Sequence, residues 1–425
     1  MTSTTRVVVI GGGMAAARLA GQLSAAGAAV DLTVVGEEPY APYNRVLLAE
    51  VLAGRYGPEV TALPLPPAAR WLRGVRAVRL DRAGRQVLCD DGSSVPYDTL
   101  VLATGANPVL PPLRGLSGGG PPGAAPGGRE LPRGVHPFRT LSDCRALMAE
   151  ALPGTRAVVV GGGLLGVSAA RALAGRGVRT VLAHQGEHLM EGRLDARASA
   201  LLRDHLEGLG VEVHTECRVR GLETRTGGTG GRAVRAVELA DGYRLEAEVA
   251  VLACGVRPRT GLARAAGLEV REGIVVDDGL RTSDPRIHAV GDCAEHRGTV
   301  YGLAGAAQDQ ADALARVLLG ADGAAYAGTR ALTRLTLAPP AGGPGRTLDL
   351  AAFGETVPRP EDDVVRLADA TRGLYRKVVV RGGRLAGGIL LGDLGAVGTL
   401  ARTWEDDEPL PSAPLLHLIT DDGGL

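Results

Sequence analysis

The sequence predicts an α/β fold with two nucleotide-binding units, and two observations carry that prediction. Gly11-Gly12-Gly13-Met14-Ala15-Ala16 follows the apolar run RVVVI, and Gly161-Gly162-Gly163-Leu164-Leu165-Gly166 follows RAVVV. Each reads as a buried parallel strand, a turn with no room for side chains, and a helix whose first amides face a pyrophosphate, which is the Rossmann-like pattern. One such turn can be purely structural. Two with the same flanks point to two dinucleotide sites, which most simply hold a flavin and a nicotinamide.

Composition is that of a globular enzyme and excludes other classes. The 425 residues are 45% hydrophobic and 22% charged, enough for two or three domain cores. The 47 basic and 47 acidic side chains cancel, which argues against nucleic acid or an anionic membrane as the main partner. No apolar run reaches the roughly 20 residues that span a bilayer. MTSTTR enters the first strand too soon to leave room for a signal peptide, so a cytoplasmic location is expected. Cys89, Cys144, Cys217, Cys254 and Cys293 form no CxxC pair, so neither a metal or cluster site nor a redox dithiol is expected.

The elements follow in order. The first strand leads through a helix over Ala15–Ala26 to a second strand over Asp31–Val35, ending at Gly36-Glu37-Glu38. Glu37 lies about 20 residues past the fingerprint, where an acid accepts hydrogen bonds from a ribose 2′-OH. A helix is expected after Tyr43-Asn44-Arg45, strands over Val75–Leu80 and Gln86–Cys89, and a buried strand running into the tight turn Ala103-Thr104-Gly105. Residues from about 111 to 134 are dense in Gly and Pro and read as a flexible linker or surface loop without chemistry. The second unit has its own second strand, Arg179–Ala183, then a meander returning through Val249–Cys254 to Gly255. Beyond Ile274 the chain reaches Gly291-Asp292 and a helix over Gly302–Leu319. The last hundred residues hold a hairpin around Arg381-Gly382-Gly383-Arg384, a helix near Ala396–Trp404 and an acidic tail.

ATG at 103–105, GVRP at 255–258 and TSDPRIHAVGDCA at 282–294, set around the two fingerprints, resemble the two-dinucleotide flavoprotein reductases. PYNRVLLAEVLAG (42–54), VLAHQGEHLMEGRLD (181–195), GDCAEHRGTVYGL (291–303) and GLYRKVVVRGGRLAGGILLGD (373–393) are similar to the FAD/NADH-binding module of assimilatory nitrite reductase large subunits and to related nitrate-assimilation electron-transfer subunits. The resemblance covers nearly the whole chain outside the 114–134 loop. It implies a discontinuous FAD domain (1–112 and 266–325, joined through the 113–134 loop and a 135–151 connection), an inserted NAD(P) domain (152–265) and a C-terminal α+β interface domain (326–425). It implies FAD at Gly11, Gly13, Met14, Ala15, Ala16, Glu37, Arg45, Ala77, Ala103, Thr104, Gly105, Arg139, Gly291 and Asp292. It implies NADH or NADPH at Gly161, Gly163, Leu164, Leu165, Gly166, His184 and Gly255. Asp292 is suited to accept from ribityl hydroxyls, and Arg45 and Arg139 either donate to the FAD pyrophosphate or stand on a solvated surface.

The implied activity is an FAD-dependent NAD(P)H oxidoreductase that hands electrons to a separate redox protein, a nitrite or nitrate reductase or an Fe–S protein. The metal centres would then reside on another polypeptide. The alternatives are a rubredoxin- or ferredoxin-type reductase, and a flavin-binding docking or regulatory subunit without nicotinamide turnover; a homodimer is left open. Three departures bear on the site. His184 stands where an NADH enzyme places an acid, Ser168 replaces the usual glutamate, and Glu50 stands where rubredoxin-type reductases pair a lysine with that glutamate beside the flavin. Glu50 and Ser168 are the candidates near the reacting flavin atom. A neutral His184 offers neither a carboxylate for a 2′-OH nor an arginine for a 2′-phosphate, so weak discrimination between NADH and NADPH is expected.

Overall fold

The computed structural model describes residues 4–410 apart from 28, 117–130, 227–230, 331, 341–344, 370, 393, 395 and 396. Most of the expected Gly/Pro-rich loop and the end of the acidic tail lie outside the described residues. The chain divides into two compact units, the first of Met1–Leu47, Pro58–Asn107 and Val256–Thr329, the second of Leu48–Gly57, Pro108–Gly255 and Arg330–Leu425.

In the first unit the strands Ile287–Ala289, Thr99–Leu102, Thr5–Ile10, Val30–Gly36 and Arg70–Arg73 form a parallel sheet in that order. Val7, Val8 and Val9 are all buried, as a strand covered on both faces requires, and their β-branched run fits that place. The chain leaves Thr5–Ile10 through the helix Met14–Ala25 to one side and later returns for Thr99–Leu102 on the other. Strand order therefore reverses at Thr5–Ile10, and the crevice beyond its carboxyl end is where such sheets take ligands. Ala16, Leu19, Ala20 and Leu23 face the core, and the helix Ala304–Leu318 packs alongside. Arg18 fastens the two helices by donating to Asp312 at 2.6 and 2.8 Å. A small antiparallel sheet of Ala77–Asp81, Gln86–Cys89 and Ser94–Pro96 completes the unit.

The second unit repeats this plan. Val211–His214, Arg179–Ala183, Arg156–Val160, Val249–Leu252 and Val135–Pro137 form the parallel sheet, with an antiparallel Val219–Thr226, Arg232–Leu239 and Arg244–Glu246. Its C-terminal part is a five-stranded antiparallel sheet in the order Thr333–Leu337, Leu348–Gly354, Arg384–Gly392, Leu374–Arg381, Asp363–Asp369, backed by the helix Val397–Glu405. The expected hairpin is its centre, and Phe353 packs on Trp404 with ring centroids 5.2 Å apart. Asp195 ties this sheet to the helix Ala196–Gly208. Its Oδ1 accepts from Ala198 N at 3.0 Å, capping the helix, and its Oδ2 accepts from Tyr375 Oη at 2.7 Å and Lys377 Nζ at 2.9 Å. Among the described residues no helix is long and apolar enough to cross a membrane.

Candidate dinucleotide sites

Each unit builds a glycine turn at the end of its central strand. In the first, Gly11 has φ +115°, and a Cβ there would stand 2.0 Å from the Ala103 carbonyl oxygen, so only glycine fits. Gly11 N donates to Val35 O and Ala103 N to Ile10 O, both at 2.8 Å, which holds the turn between the ends of the neighbouring strands. Gly13 caps the helix and differs from Gly11. A Cβ there would meet nothing within 4 Å, so protein packing does not explain the missing side chain. Helical bonding begins only at Ala17 N, which donates to Gly13 O, leaving the amides of Met14, Ala15 and Ala16 outside that ladder beside the open space. Room, unspent helix donors and the absence of an acid from the first turn fit a pyrophosphate.

Three further segments arrive at the same turn. Gly291 has φ +79°, and its Cβ position lies 3.5 Å from the Ala15 Cβ, which brings Asp292 to the start of the fingerprint helix. Gly291 N donates to the buried Gln310 Oε1 at 2.6 Å, fixing that strand end. Thr104 Oγ1 donates to Arg259 O at 2.8 Å, and Arg259 N to Gly105 O at 2.9 Å. Glu37 follows the second strand and is gripped by both terminal nitrogens of Arg259, NH2 donating to Oε2 at 2.7 Å. These charge-assisted bonds hold the Glu37 carboxyl below its ordinary pKa against the opposing cost of burial. Arg259 was not among the expected site residues. Its only sequence signal is its place directly after GVRP.

Arg45 donates to Glu38 and lies over the Tyr43 ring, 5.1 Å from its centroid, and Tyr43 Oη donates to Glu38 Oε2 at 2.7 Å. Ala77 opens an antiparallel strand opposite Cys89, near where Val75 N donates to Gly36 O. Arg139 belongs to the second unit, where its backbone N–H donates to Asp143 Oδ2 at 3.1 Å ahead of the Thr140 capping box. Cys293 is fully buried and donates to Leu102 O and Val290 O at 3.3 Å; burial pushes its thiol and that of Cys254 up, away from thiolate chemistry.

The second turn has the same logic. Gly161 has φ +112°, with its Cβ position 2.4 Å from Ala253 O, and Gly163 is open like Gly13. A Cβ on Gly166 would stand 1.7 Å from Gly161 O, so helix and strand meet closely there. Leu164 and Leu165 begin the helix half-buried, and Gly255, with φ +93°, turns the chain after the strand Val249–Leu252. His184 closes the strand Arg179–Ala183, and its Nδ1 accepts from Gly162 N at 3.1 Å.

Glu50 and Ser168 do not bond to each other. Ser168 Oγ donates back to Leu164 O at 2.7 Å, within its own helix. Glu50 is held by Arg171, a buried residue one turn further along that helix, and by Arg55 NH1 at 3.3 Å. An acid–cation tie between the helices Leu48–Leu52 and Leu164–Gly175 is thus present with its polarity reversed and its position shifted from 168 to 171. The sequence showed the loss of both family residues and gave no sign of the replacement.

Residues 5–311 match the family model for pyridine nucleotide-disulphide oxidoreductases, and residues 347–406 that for the rubredoxin NAD+ reductase C-terminal domain. The chain belongs to the pyridine nucleotide-disulphide oxidoreductase family. FAD and NAD(P)H are the cofactors of this family's reductases, and the two turns fit them. A nitrite reductase [NAD(P)H] of Bacillus subtilis (strain 168) is 32% identical over 396 residues, covering 91% of this chain and 46% of the relative. The assimilatory nitrate reductase electron transfer subunit of the same organism is 32% identical over 397 residues, covering 91% and 48%. The chain therefore spans about half the length of these relatives. The crystal structure of the covalent putidaredoxin reductase–putidaredoxin complex superposes with TM-score 0.82 at 25% identity, covering 98% of this chain and 99% of that one.

Proposed function

We propose that the chain is an FAD-dependent NAD(P)H oxidoreductase that draws on cytoplasmic NAD(P)H and passes electrons to a separate redox protein, an Fe–S protein or a nitrite or nitrate reductase. The observation that carries the reading is the pair of glycine turns, each with an open glycine and unspent helix amides, in a chain of this family. Bound FAD supplies the conversion of a two-electron hydride into single electrons. The chain's own residues bind and orient. The 11–16 turn takes one pyrophosphate and the 161–166 turn the other. Glu37, kept ionised by Arg259, retains lone pairs for a ribose diol, and Asp292 offers its carboxylate to the ribityl hydroxyls. No residue need act as acid or base, because hydride transfer depends on stacking and distance.

A ferredoxin- or rubredoxin-type acceptor is the second reading, favoured by the match of residues 347–406 and by the full-length likeness to putidaredoxin reductase. Both readings share the first half-reaction. Anaerobic titration of the FAD-loaded protein with NADH or NADPH should bleach the flavin absorbance, and an artificial one-electron acceptor should restore it. A flavin that stays oxidised under both nicotinamides sinks the proposal. So does consumption of nitrite by the isolated chain, since the proposal assigns nitrite reduction to a separate protein.

A further inference from the structure

We propose that Glu191 is the acid that reads the adenosine ribose in the second unit, so that NADH is taken in preference to NADPH; this rests on the nicotinamide reading of that unit. The residue that ends the second strand, His184, is committed elsewhere. Its ring lies against the fingerprint, where a Cβ on Gly162 would stand 2.7 Å from the ring Cγ. Nδ1 accepts from Gly162 N, which leaves Nε2 as the ring nitrogen that bears the N–H. His184 thus supports the turn.

The segment after His184 folds back onto that turn. Met190 N donates to Gly162 O at 2.9 Å, with Met190 itself in the left-handed region at φ +54°, a conformation that a residue other than glycine adopts only when its surroundings enforce it. Buried Leu189 fills the same corner, its Cδ2 also 2.7 Å from the Gly162 Cβ position. The return carries Glu191 to the end of the second strand. Its Oε1 lies 3.3 Å from His184 Nε2, and a Cβ on Gly186 would stand only 1.6 Å from that oxygen. Gly186 is glycine where the carboxylate lies. Among the described residues no lysine or arginine is within ion-pair distance of Glu191, and its side chain is 52% exposed, so the contact with His184 leaves carboxylate lone pairs for a ligand. The carboxylate therefore sits where dinucleotide folds place the acid that accepts from a ribose 2′-OH, delivered from the following loop. A 2′-phosphate brought to it meets like charge.

The test is calorimetric binding of ADP-ribose and of its 2′-phosphate to the FAD-loaded protein, which reads the site without turnover. The unmodified protein should bind ADP-ribose tighter by roughly tenfold or more. Glu191→Gln should narrow the gap to within about threefold and Glu191→Arg should invert it, with the NADH-to-NADPH ratio of flavin reduction moving in parallel. Binding of both ligands with a ratio unchanged in both variants overturns the assignment of Glu191. Binding of neither ligand to the unmodified protein overturns the nicotinamide reading of the unit, and this assignment with it.

Discussion

The two glycine turns share a backbone plan and differ at the residue that closes the second strand of each sheet. In the first unit Gly36 ends the strand, its Cα 3.5 Å from the Gly12 Cβ position, and Glu37 beyond it is taken by Arg259. In the second, an imidazole stands in that place and crowds Gly162. The third fingerprint position differs as well, since buried Ala16 fits where Gly166 has no room for a Cβ. What the units share is the glycine backbone that the proposal gives to a pyrophosphate. What they do not share is where the acid proposed for each ribose comes from and what holds it: Arg259 grips Glu37, and Glu191 lies beside His184.

The largest expected effects probe the shared part. Gly13→Ala and Gly163→Ala place a methyl group in space that the protein leaves open, so each should cost the FAD-free protein no more than the roughly 1 kcal/mol of replacing a glycine N-cap by alanine. Each should weaken one ligand by about 100-fold, about 2.7 kcal/mol, FAD for Gly13→Ala and ADP-ribose for Gly163→Ala. Flavin retention and calorimetry separate the two. Crossed effects, or loss of stability without loss of binding, would break the assignment of one turn to each cofactor.

The next effect separates the acids. Glu37→Ala should cost about 2 kcal/mol of FAD affinity, the scale of a charge-assisted hydrogen bond. Arg259 lowers the Glu37 pKa in the folded protein, so the stability from that pair is present above the ordinary value of 4.5 and is lost as pH falls through the lowered one. In Arg259→Ala the Glu37 pKa rises toward ordinary. FAD release on acidification should therefore start at a higher pH than in the unmodified protein; an acid limb that does not move would remove Arg259 from the site.

Both turns were legible because a strand, a turn and a helix are contiguous, and glycine at fixed offsets is a local signal. The position of Glu37 directly after the second strand was legible for the same reason. Arg259, which orders it, comes from 222 positions away, and no local pattern marks which of the many arginines makes that journey. Glu191 was hidden differently. It is near in sequence, but only the fold-back at Met190 shows that the segment returns to the strand end. In the C-terminal sheet the hairpin Leu374–Arg381 with Arg384–Gly392 carried a clear turn, whereas Leu348–Gly354 is buried on both faces and Asp363–Asp369 is an edge strand with no fully buried residue, so neither showed a clean alternation.

The smallest effect tests the difference between the units most directly. Neither Gly12 nor Gly162 has a positive φ, so alanine is compatible with both backbones and only the neighbours decide. Gly12→Ala meets ordinary van der Waals contact at 3.5 Å and should stay within about 0.5 kcal/mol of the parent in thermal or urea unfolding. Gly162→Ala drives a methyl group against the His184 ring and the Leu189 methyl, both 2.7 Å away, and should cost about 1–2 kcal/mol. His184→Ala removes the larger obstacle and also a hydrogen-bond acceptor for Gly162 N. In that background the cost of Gly162→Ala should fall by about half or more, a coupling that a double-mutant cycle reads. Additive effects would mean that His184 does not underlie the turn, and the reason for seeking the ribose acid at Glu191 would go with it.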